Sequence, residues 1–458
     1  MAETATADII SAVITSHDGS KTEDIAGYID SFEIDQSMDM MGYKGSIRVL
    51  DATGIFENFP VRCEESLDLK IISDDLGTEV NLKTQVYKID NFSPSENSGK
   101  LMYTMHFMSS ITFASAKRSI ITSFNRKSMD QMARFVFNNY FAKLGERDYL
   151  DPKDKTRTLE YAAYRLPIID EPERNFIVQP TANITNCVIP DYIPQEAMNF
   201  LASMSFQPET PSASFRFFET LDNFYFATDE YFIKSAKRKD LIDLFYSPAS
   251  SIDPRNPNDQ VNRIETLEIV SRGMDVGDAM LSGGYRSSVL EVDLVKKQLN
   301  VVSFNYDDDS VRYIDMSGEV RKLDDDPHTA DFRKDTFTEE NGPSFIVYKD
   351  YNSNGEIPGS LNVDRFLPTI TSNRLSYNHH LNQTTVQAIM KGRLDIQPGM
   401  IINLEVQNMD AVSRPEKNKT LSGKYLVNTT RHVRGNGGTL NTALKLLKFG
   451  WSRGDVDV

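Results

Sequence analysis

Apolar and polar residues alternate along the C-terminal part of the chain, from Thr384 to Leu447. Alternation with a period of two is typical of half-buried β-strands. The runs are separated by a Pro398-Gly399 turn, a charged loop over 410–420 and a glycine-rich stretch over 435–438. Because proline presets φ and glycine tolerates positive φ, these breaks indicate turns between antiparallel neighbours. The pattern predicts an antiparallel meander that curls into a small barrel.

A similar plan is predicted near the N-terminus. Alternating runs cover 45–50, 66–72, 80–89 and 101–108, with loops or polar turns between them. Both regions place strand, turn, strand, loop, strand and closing hairpin in the same order. We therefore expect two related barrels of like topology, although the two segments share too little identity to establish a duplication from sequence.

Three segments have the spacing of amphipathic helices. The first runs from Ser128 to Gly145, and Gln131 completes a capping box with Ser128. The second runs from Pro194 to Met204, since proline suits the first helical position. The third runs from Pro368 to about His380. The apolar face of each helix must be buried against another element.

The predicted fold class is mainly β with α+β insertions: two related small antiparallel tube-type β-barrels plus accessory domains. We expect the unit Gly42 to Ser110 to superimpose on a discontinuous unit of Ser212 to Lys234 plus Thr384 to Lys448. The predicted domains are 1–115 for the first barrel, 116–211 for a helix-containing α+β insertion, 212–236 with 365–450 for the second barrel, and 237–364 for an acidic accessory domain.

The charge balance limits the classes of partner. The 458 residues include 50 Lys+Arg and 66 Asp+Glu, for a formal net charge of −16. This acidic balance disfavours binding to nucleic acid by counterion release, and anionic lipid surfaces would repel the chain. No apolar run is long enough to span a bilayer, and the first residues lack the basic region of a signal peptide. Cys63 and Cys187 are expected to be free thiols in a reducing compartment.

The search for catalytic chemistry is mostly negative. The sequence has no phosphate-binding glycine loop, nucleophile elbow or His-Glu-x-x-His motif. His379 and His380 point to different helix faces, and His432 is expected to be structural. Asp350 to Gly355 matches the first half of a calcium loop, but Leu361 stands where the bidentate glutamate belongs and Pro358 where another ligand would lie. We predict no catalytic, cofactor-binding or metal-binding residues and no required cofactor. The acidic triplets are interpreted as solvated faces, and they are Asp307-Asp308-Asp309 and Asp324-Asp325-Asp326.

The C-terminal meander resembles the closing barrel of baseplate central hub proteins of contractile-tailed bacteriophages, the late-control-D-like family. The matching positions are Gly392, Pro398-Gly399, Leu421, Gly423, Tyr425, Val427, His432, Gly437-Gly438, Thr442, Leu444 and Leu446. The helix at 194–204, followed by an aromatic hairpin over 214–226, is also similar to that family. The region 237–364 matches no pattern of the family.

The resemblance implies a structural subunit of a phage tail baseplate and not an enzyme. Hubs of this family are homotrimers in which three chains make a ring of six barrels. The ring adapts the sixfold tail tube to the threefold central spike and lets DNA pass without specific binding. The implied partners are the tail tube or tube-initiator protein, the spike, the tape measure protein and baseplate wedge proteins, with no membrane binding. The implied location is the virion, after assembly in the host cytoplasm.

Two other classes of protein compete with this interpretation. A tail-associated cell-wall hydrolase would hide an acidic pair in 237–364 and would turn over wall substrate. A glycan- or receptor-binding tail protein would bind glycans saturably and would be richer in exposed tryptophan, whereas Trp451 is the one tryptophan of this chain.

Charge leads to an expectation about the bore of such a ring. Three chains would carry −48 formal charges, three times −16. An acidic wall would repel DNA within roughly 8–10 Å of its surface in ordinary salt, whereas a basic wall would hold it. Candidate wall residues are Asp68 and Glu405. The competing interpretation spreads the acidity over the outer surface for solubility.

Overall fold

A computed structural model of the chain describes residues 6–59, 61–73, 77–94, 100–141, 149–150, 158–159, 175–182, 184–237, 241–247, 261–272, 275–294, 296–305, 343–348, 363–381, 383–407, 417–418, 420–435 and 437–448. Several predicted features lie outside these residues: the helix end at Gly145, both aspartate triplets, the loop Asp350 to Gly355 with Pro358 and Leu361, most of the charged loop 410–420, and Trp451.

The strands of the described residues are β1 (Ala7–Thr15), β2 (Thr22–Asp24), β3 (Ile29–Ser37), β4 (Lys44–Asp51), β5 (Ser66–Ser73), β6 (Thr78–Pro94), β7 (Leu101–Ser109), β8 (Ile120–Ser128), β9 (Tyr149–Leu150), β10 (Thr158–Leu159), β11 (Asn175–Val178), β12 (Ile184–Tyr192), β13 (Arg216–Glu219), β14 (Asn223–Ala227), β15 (Ile242–Tyr246), β16 (Ile264–Arg272), β17 (Arg286–Asp293), β18 (Gln298–Asn305), β19 (Ser344–Tyr348), β20 (Thr384–Lys391), β21 (Ile401–Val406), β22 (Gly423–Arg434) and β23 (Leu440–Lys448). The helices are α1 (Ile55–Asn58), α2 (Ser110–Ala116), α3 (Met129–Val136), α4 (Pro194–Met204), α5 (Asp229–Ser235), α6 (Val276–Ser282) and α7 (Val363–Leu381).

Strands β1 to β7 form one antiparallel unit, which we call the N-terminal barrel. Their order in space is β3-β4-β7-β6-β5-β1-β2. Alternate side chains point inward, so Val49, Leu69, Met105 and Phe107 lie in one apolar core. Met105 and Phe107 are fully buried there. The predicted mainly β fold with antiparallel sheets is confirmed.

The second unit, the C-terminal barrel, has the order β16-β20-β23-β22-β21-β15. The Phe245 amide donates to the Asn262 carbonyl at 3.1 Å, which links β15 back to the residues before β16. The predicted inward face of β23 is confirmed, because Leu440, Leu444 and Leu446 are buried. These strands surround their own apolar core.

The two barrels have the same strand order. Taken along the chain, β1, β3, β4, β5, β6 and β7 correspond to β15, β16, β20, β21, β22 and β23, and the neighbours in space match throughout. The two barrels differ in strand direction at one pair. Strand β1 is antiparallel to β5, whereas β15 is parallel to β21.

Two irregularities in the ladders support the correspondence. The register shifts between Val86 and Lys88 in β6, and between Val427 and Thr429 in β22. It also shifts between Ile29 and Ser31 in β3, matched in β16 between Ile264 and Thr266. Because β-bulges re-aim a strand, these two shared positions support the correspondence. Further shifts between Asp90 and Ser93 in β6, and between Ile269 and Ser271 in β16, have no counterpart in β22 or β3. The aligned segments read IDSFEI over 29–34 and IETLEI over 264–269.

Strand membership differs from the predicted domain division. The hairpin β13–β14, placed in the second barrel by the sequence analysis, pairs with β11 in a separate sheet. Strands β15 and β16, assigned to the acidic accessory domain 237–364, belong to the C-terminal barrel. The hairpin packs its phenylalanines on the insertion core because they need a large apolar partner. Strand β16 carries charges because most of its side chains face solvent.

The predicted helices are present, with shifted ends. The capping box is confirmed, since the Ser128 amide donates to Gln131 Oε1 at 3.4 Å, although the α-helix ends at Val136 and continues as a π-turn. The second helix has the predicted bounds. The third begins at Val363, five residues before the predicted Pro368, and buries Ile370 and Tyr377.

Strand β4 supplies a test of the packing in the N-terminal barrel. A Cβ on Gly45 would lie 2.3 Å from the Glu33 carbonyl oxygen and 2.4 Å from the Phe107 ring. We expect Gly45→Ala to lower the free energy of unfolding by about 1–3 kcal/mol, because the backbone must move to admit the methyl group. Urea unfolding measures the change. The control Gly27→Ala meets no atom within 4 Å and should stay within about 0.5 kcal/mol of the native chain. Equal effects of both substitutions would contradict the packing described.

Candidate functional site

The two barrels meet where β3 pairs with β22. Residues 32–37 lie antiparallel to 429–434, so the sheets of both barrels are continuous. Arg431 Nη2 lies 2.5 Å from Glu33 Oε1, and Arg431 Nε lies 3.7 Å from Asp35 Oδ1. Burial raises the pKa of Asp35 to about 6, with a further contribution from the Glu33 charge. The ion pairs lie across a junction that backbone hydrogen bonds hold together.

A buried ion pair lies beside this junction. Arg216 on β13 contacts Asp229 at the start of α5, with Nε 3.2 Å from Oδ1. Asp229 is fully buried, and the same guanidinium also contacts Asp39, which follows β3. Burial raises the pKa of Asp229 while the Arg216 charge opposes that rise, and Asp229 in turn raises the pKa of Arg216. The pair therefore joins the aromatic hairpin, α5 and the N-terminal barrel.

Two further polar contacts hold the hairpin and its surroundings. Glu219 on β13 is buried, and it accepts hydrogen bonds from Ser109 Oγ at 2.7 Å and from Thr112 Oγ1 at 3.1 Å. On α7, the Arg374 Nη2 donates to the Ala213 carbonyl at 2.9 Å. These hydrogen bonds satisfy a buried carboxylate and a backbone carbonyl between packed elements, so the arrangement is structural.

The sequence analysis missed the ion pair and its neighbours. Arg216 and Asp229 are 13 residues apart, and each looks like an ordinary surface charge in the sequence. The phenylalanines around Arg216 were the one available signal, because a charge inside an aromatic hairpin must find a partner when the hairpin is buried.

The histidines that were weighed as ligands have separate environments. His379 Nε2 lies 2.8 Å from Ser282 Oγ, whereas His380 is buried and its Nδ1 lies 3.2 Å from Gln383. His432 is buried between β3 and β23, with Nδ1 3.1 Å from Thr442 Oγ1. Burial lowers the pKa of His380 and of His432 to about 4. Within the part of the chain that the structure describes, no three His, Cys, Asp or Glu side chains are grouped as a metal site would require.

The two candidate wall residues lie on corresponding strands. Asp68 on β5 and Glu405 on β21 both alternate with buried residues and face away from their cores. Glu405 lies 3.8 Å from Lys417 Nζ. Cys63 and Cys187 are free thiols, and burial raises the pKa of Cys187 to about 11.

An exposed apolar face lies on the sheet β18-β17-β19. Pairing of β17 with its two neighbours places four large side chains on one face, each 58–64% exposed. They are Leu299, Val301, Ile346 and Tyr348. This sheet belongs to the region that matched no pattern of the resembled family.

Comparison with known proteins places the fold. No protein-family profile matches the chain, and no curated protein matches it in sequence. The 43 kDa tail protein of prophage MuSo2 from Shewanella oneidensis has a similar structure, with a TM-score of 0.51, 10% identity and coverage of 96% of this chain and 98% of that one. The tail protein from Neisseria meningitidis MC58 is similar too, with a TM-score of 0.50, 10% identity and coverage of 95% and 96%.

The fold is therefore that of phage tail proteins, in agreement with the resemblance seen in the sequence. The described helices include none that is both long enough and apolar enough to cross a membrane.

The ion pair supplies a test of the buried charges. We expect Arg216→Met to lower the free energy of unfolding by about 3–5 kcal/mol, because Asp229 would stay buried without its cation. The double variant Arg216→Met with Asp229→Asn should lose less than this single variant, since no uncompensated charge remains. Denaturant unfolding of the double variant and of both single variants, Arg216→Met and Asp229→Asn, measures the difference. A double variant as unstable as the sum of two single ones would show that the charges are not coupled.

Histidine burial predicts a pH dependence of stability. The folded-state pKa of His432 is about 4 and its ordinary value is 6.5, so the unfolded chain binds the proton first. The contribution of neutral His432 is thus complete above pH 6.5 and is lost as the pH falls toward 4, by at most about 3 kcal/mol.

We expect His432→Asn to flatten the fall in unfolding free energy between pH 6.5 and 4, as measured by urea unfolding at each pH. His380→Asn is the parallel variant, should His432→Asn fail to fold. A pH profile that neither substitution changes would contradict burial of the neutral rings.

Proposed function

We propose that this chain is a structural hub subunit of a phage tail baseplate, and that three copies form a ring of six barrels. The observation that carries the proposal is the repeated strand order of the two barrels, joined edge to edge within one chain. A ring of three such chains offers six similar barrels to a sixfold tail tube and three identical chains to a threefold spike. The fold shared with the MuSo2 prophage tail protein and with the tail protein from Neisseria meningitidis MC58 supports a tail role.

The proposed mechanism is symmetry adaptation by assembly, which needs no catalytic centre, cofactor or metal. The proposed partners are two further copies of this chain, the tail tube or tube-initiator protein and the central spike protein. Tape measure and baseplate wedge proteins are further partners of the assembled ring. The proposed location is the virion, after assembly in the host cytoplasm.

The proposed ring must let DNA pass through its bore. The net charge of −16 on each chain favours a wall that repels phosphate. Asp68 and Glu405 lie on corresponding strands, so a bore lined by these strands would carry acidic residues at all six barrels.

The solution mass tests the trimer. We expect equilibrium sedimentation at micromolar concentration to give three times the 51.9 kDa of one chain, with negative-stain images of rings around an opening. The reason is that an edge-to-edge repeat leaves equivalent edges for a neighbour to cover. Sedimentation as a monomer alone would count against the proposed function.

A further inference from the structure

The junction inside one chain indicates how neighbouring chains would join. Within the chain, β22 of the C-terminal barrel pairs with β3 of the N-terminal barrel. By the correspondence of strand order, the equivalent of β22 in the N-terminal barrel is β6, and the equivalent of β3 in the C-terminal barrel is β16. Each chain therefore carries a second copy of both edges that make the junction.

Strand β6 has the same half-covered edge as β22. Its neighbour β5 pairs with it only as far as Gln85, and the Val86 amide then donates to the Glu65 carbonyl at 2.9 Å. Strand β21 likewise pairs with β22 only as far as Leu426, and the Val427 amide then donates to the Met400 carbonyl at 2.9 Å. Beyond that point β22 pairs with β3. The equivalent stretch of β6, 87–94, pairs with β7 on one side and with no described strand on the other, where the Ile89 amide donates to the Cys63 sulfur.

Strand β16 has the complementary edge. It pairs with β20 on one side, and on the other side its end is linked to β15 by a single bridge between Phe245 and Arg263. Among the described residues, no strand pairs with the edge from Thr266 to Val270. In β3 the equivalent edge is the one that β22 covers.

We propose that residues 87–94 of β6 in one chain pair antiparallel with β16 of a neighbouring chain, which repeats the internal junction between chains. This inference rests on the proposed trimeric ring. The contact is heterologous, so each chain uses β6 toward one neighbour and β16 toward the other, and a rotation that matches the internal one closes a ring. Pairing also satisfies backbone groups that open strand edges leave exposed.

The correspondence gives a register. Asp90 takes the place of Arg431, and it lies opposite Ser271, which takes the place of Asp35. Farther along β6, Ser93 takes the place of Val433 and lies opposite Glu268, which takes the place of Glu33. Between the two pairs β6 has one residue more than β22, and β16 has one residue more than β3, so the two register shifts offset one another.

The ion pairs of the internal junction are not repeated between chains. Asp90 is already within 2.5 Å of Lys88 Nζ and 2.9 Å of His106 Nε2 in its own chain, which balances its charge. Residue 271 is a serine where β3 has Asp35. Asp90 would therefore face one carboxylate, that of Glu268, instead of two. A wrong contact between β6 and the β3 of another chain would place Asp90 against both Glu33 and Asp35, so charge disfavours it.

Disulfide trapping tests the strand pairing. A chain with Ser93→Cys and Glu268→Cys, oxidised with diamide, should give covalent trimers on a non-reducing gel, because each ring would hold three facing pairs. The second matched pair is Asp90→Cys with Ser271→Cys. The control pair is Asn81→Cys with Glu268→Cys, because Asn81 lies in the half of β6 that β5 covers, roughly 40 Å along the strand from Ser93. The native chain controls for Cys63 and Cys187.

Sedimentation of the same preparations distinguishes failure of the strand pairing from failure of the proposed hub role. Trimers that neither matched pair cross-links would overturn the strand pairing and leave the proposed hub role standing. Chains that stay monomeric would overturn both. Cross-linking by the control pair as strong as that of the matched pairs would also overturn the pairing, because it would show collision without register.

Discussion

An open strand edge is the constraint on which the rest of this structure depends. A barrel whose strands stop at different lengths leaves backbone donors and acceptors uncovered, and such edges pair with whatever strand comes near. Here β3 and β22 cover one another, so two barrels become a continuous sheet. Backbone pairing sets the geometry of the junction, and Arg431 pairs across it with Glu33 and Asp35.

The insertion elements are held to this sheet by polar groups that lie inside the molecule. Arg216 contacts a buried carboxylate on α5 and an exposed one beside β3, so it joins three elements at once. Buried ion pairs add little net stability compared with apolar packing, yet they are costly to break. Arg216 therefore holds hairpin, helix and barrel in an arrangement that is costly to disturb once its charges are buried.

The sequence predicts features that depend on near neighbours. The capping box at Ser128, the helix from Pro194 and the inward face of β23 follow from local spacing, and the structure has all three. The membership of β15 and β16 in the C-terminal barrel does not follow, because a long acidic segment separates them from their partners at β20 and β21. The ion pair of Arg216 with Asp229 was missed because pairing of charges is decided by tertiary packing.

The two barrels match at the inward positions that form their cores and differ at outward and edge positions. Inward positions match in character, as with Leu69 and Leu404, and two of the bulges fall at the same places. Outward and edge positions have diverged, and β15 even runs opposite to its counterpart β1. Packing density constrains the interior of both copies equally, whereas each outer surface is free to suit its own surroundings. In the proposed trimer, one repeated interior with two unlike exteriors would therefore present near-sixfold geometry to one partner and threefold geometry to another.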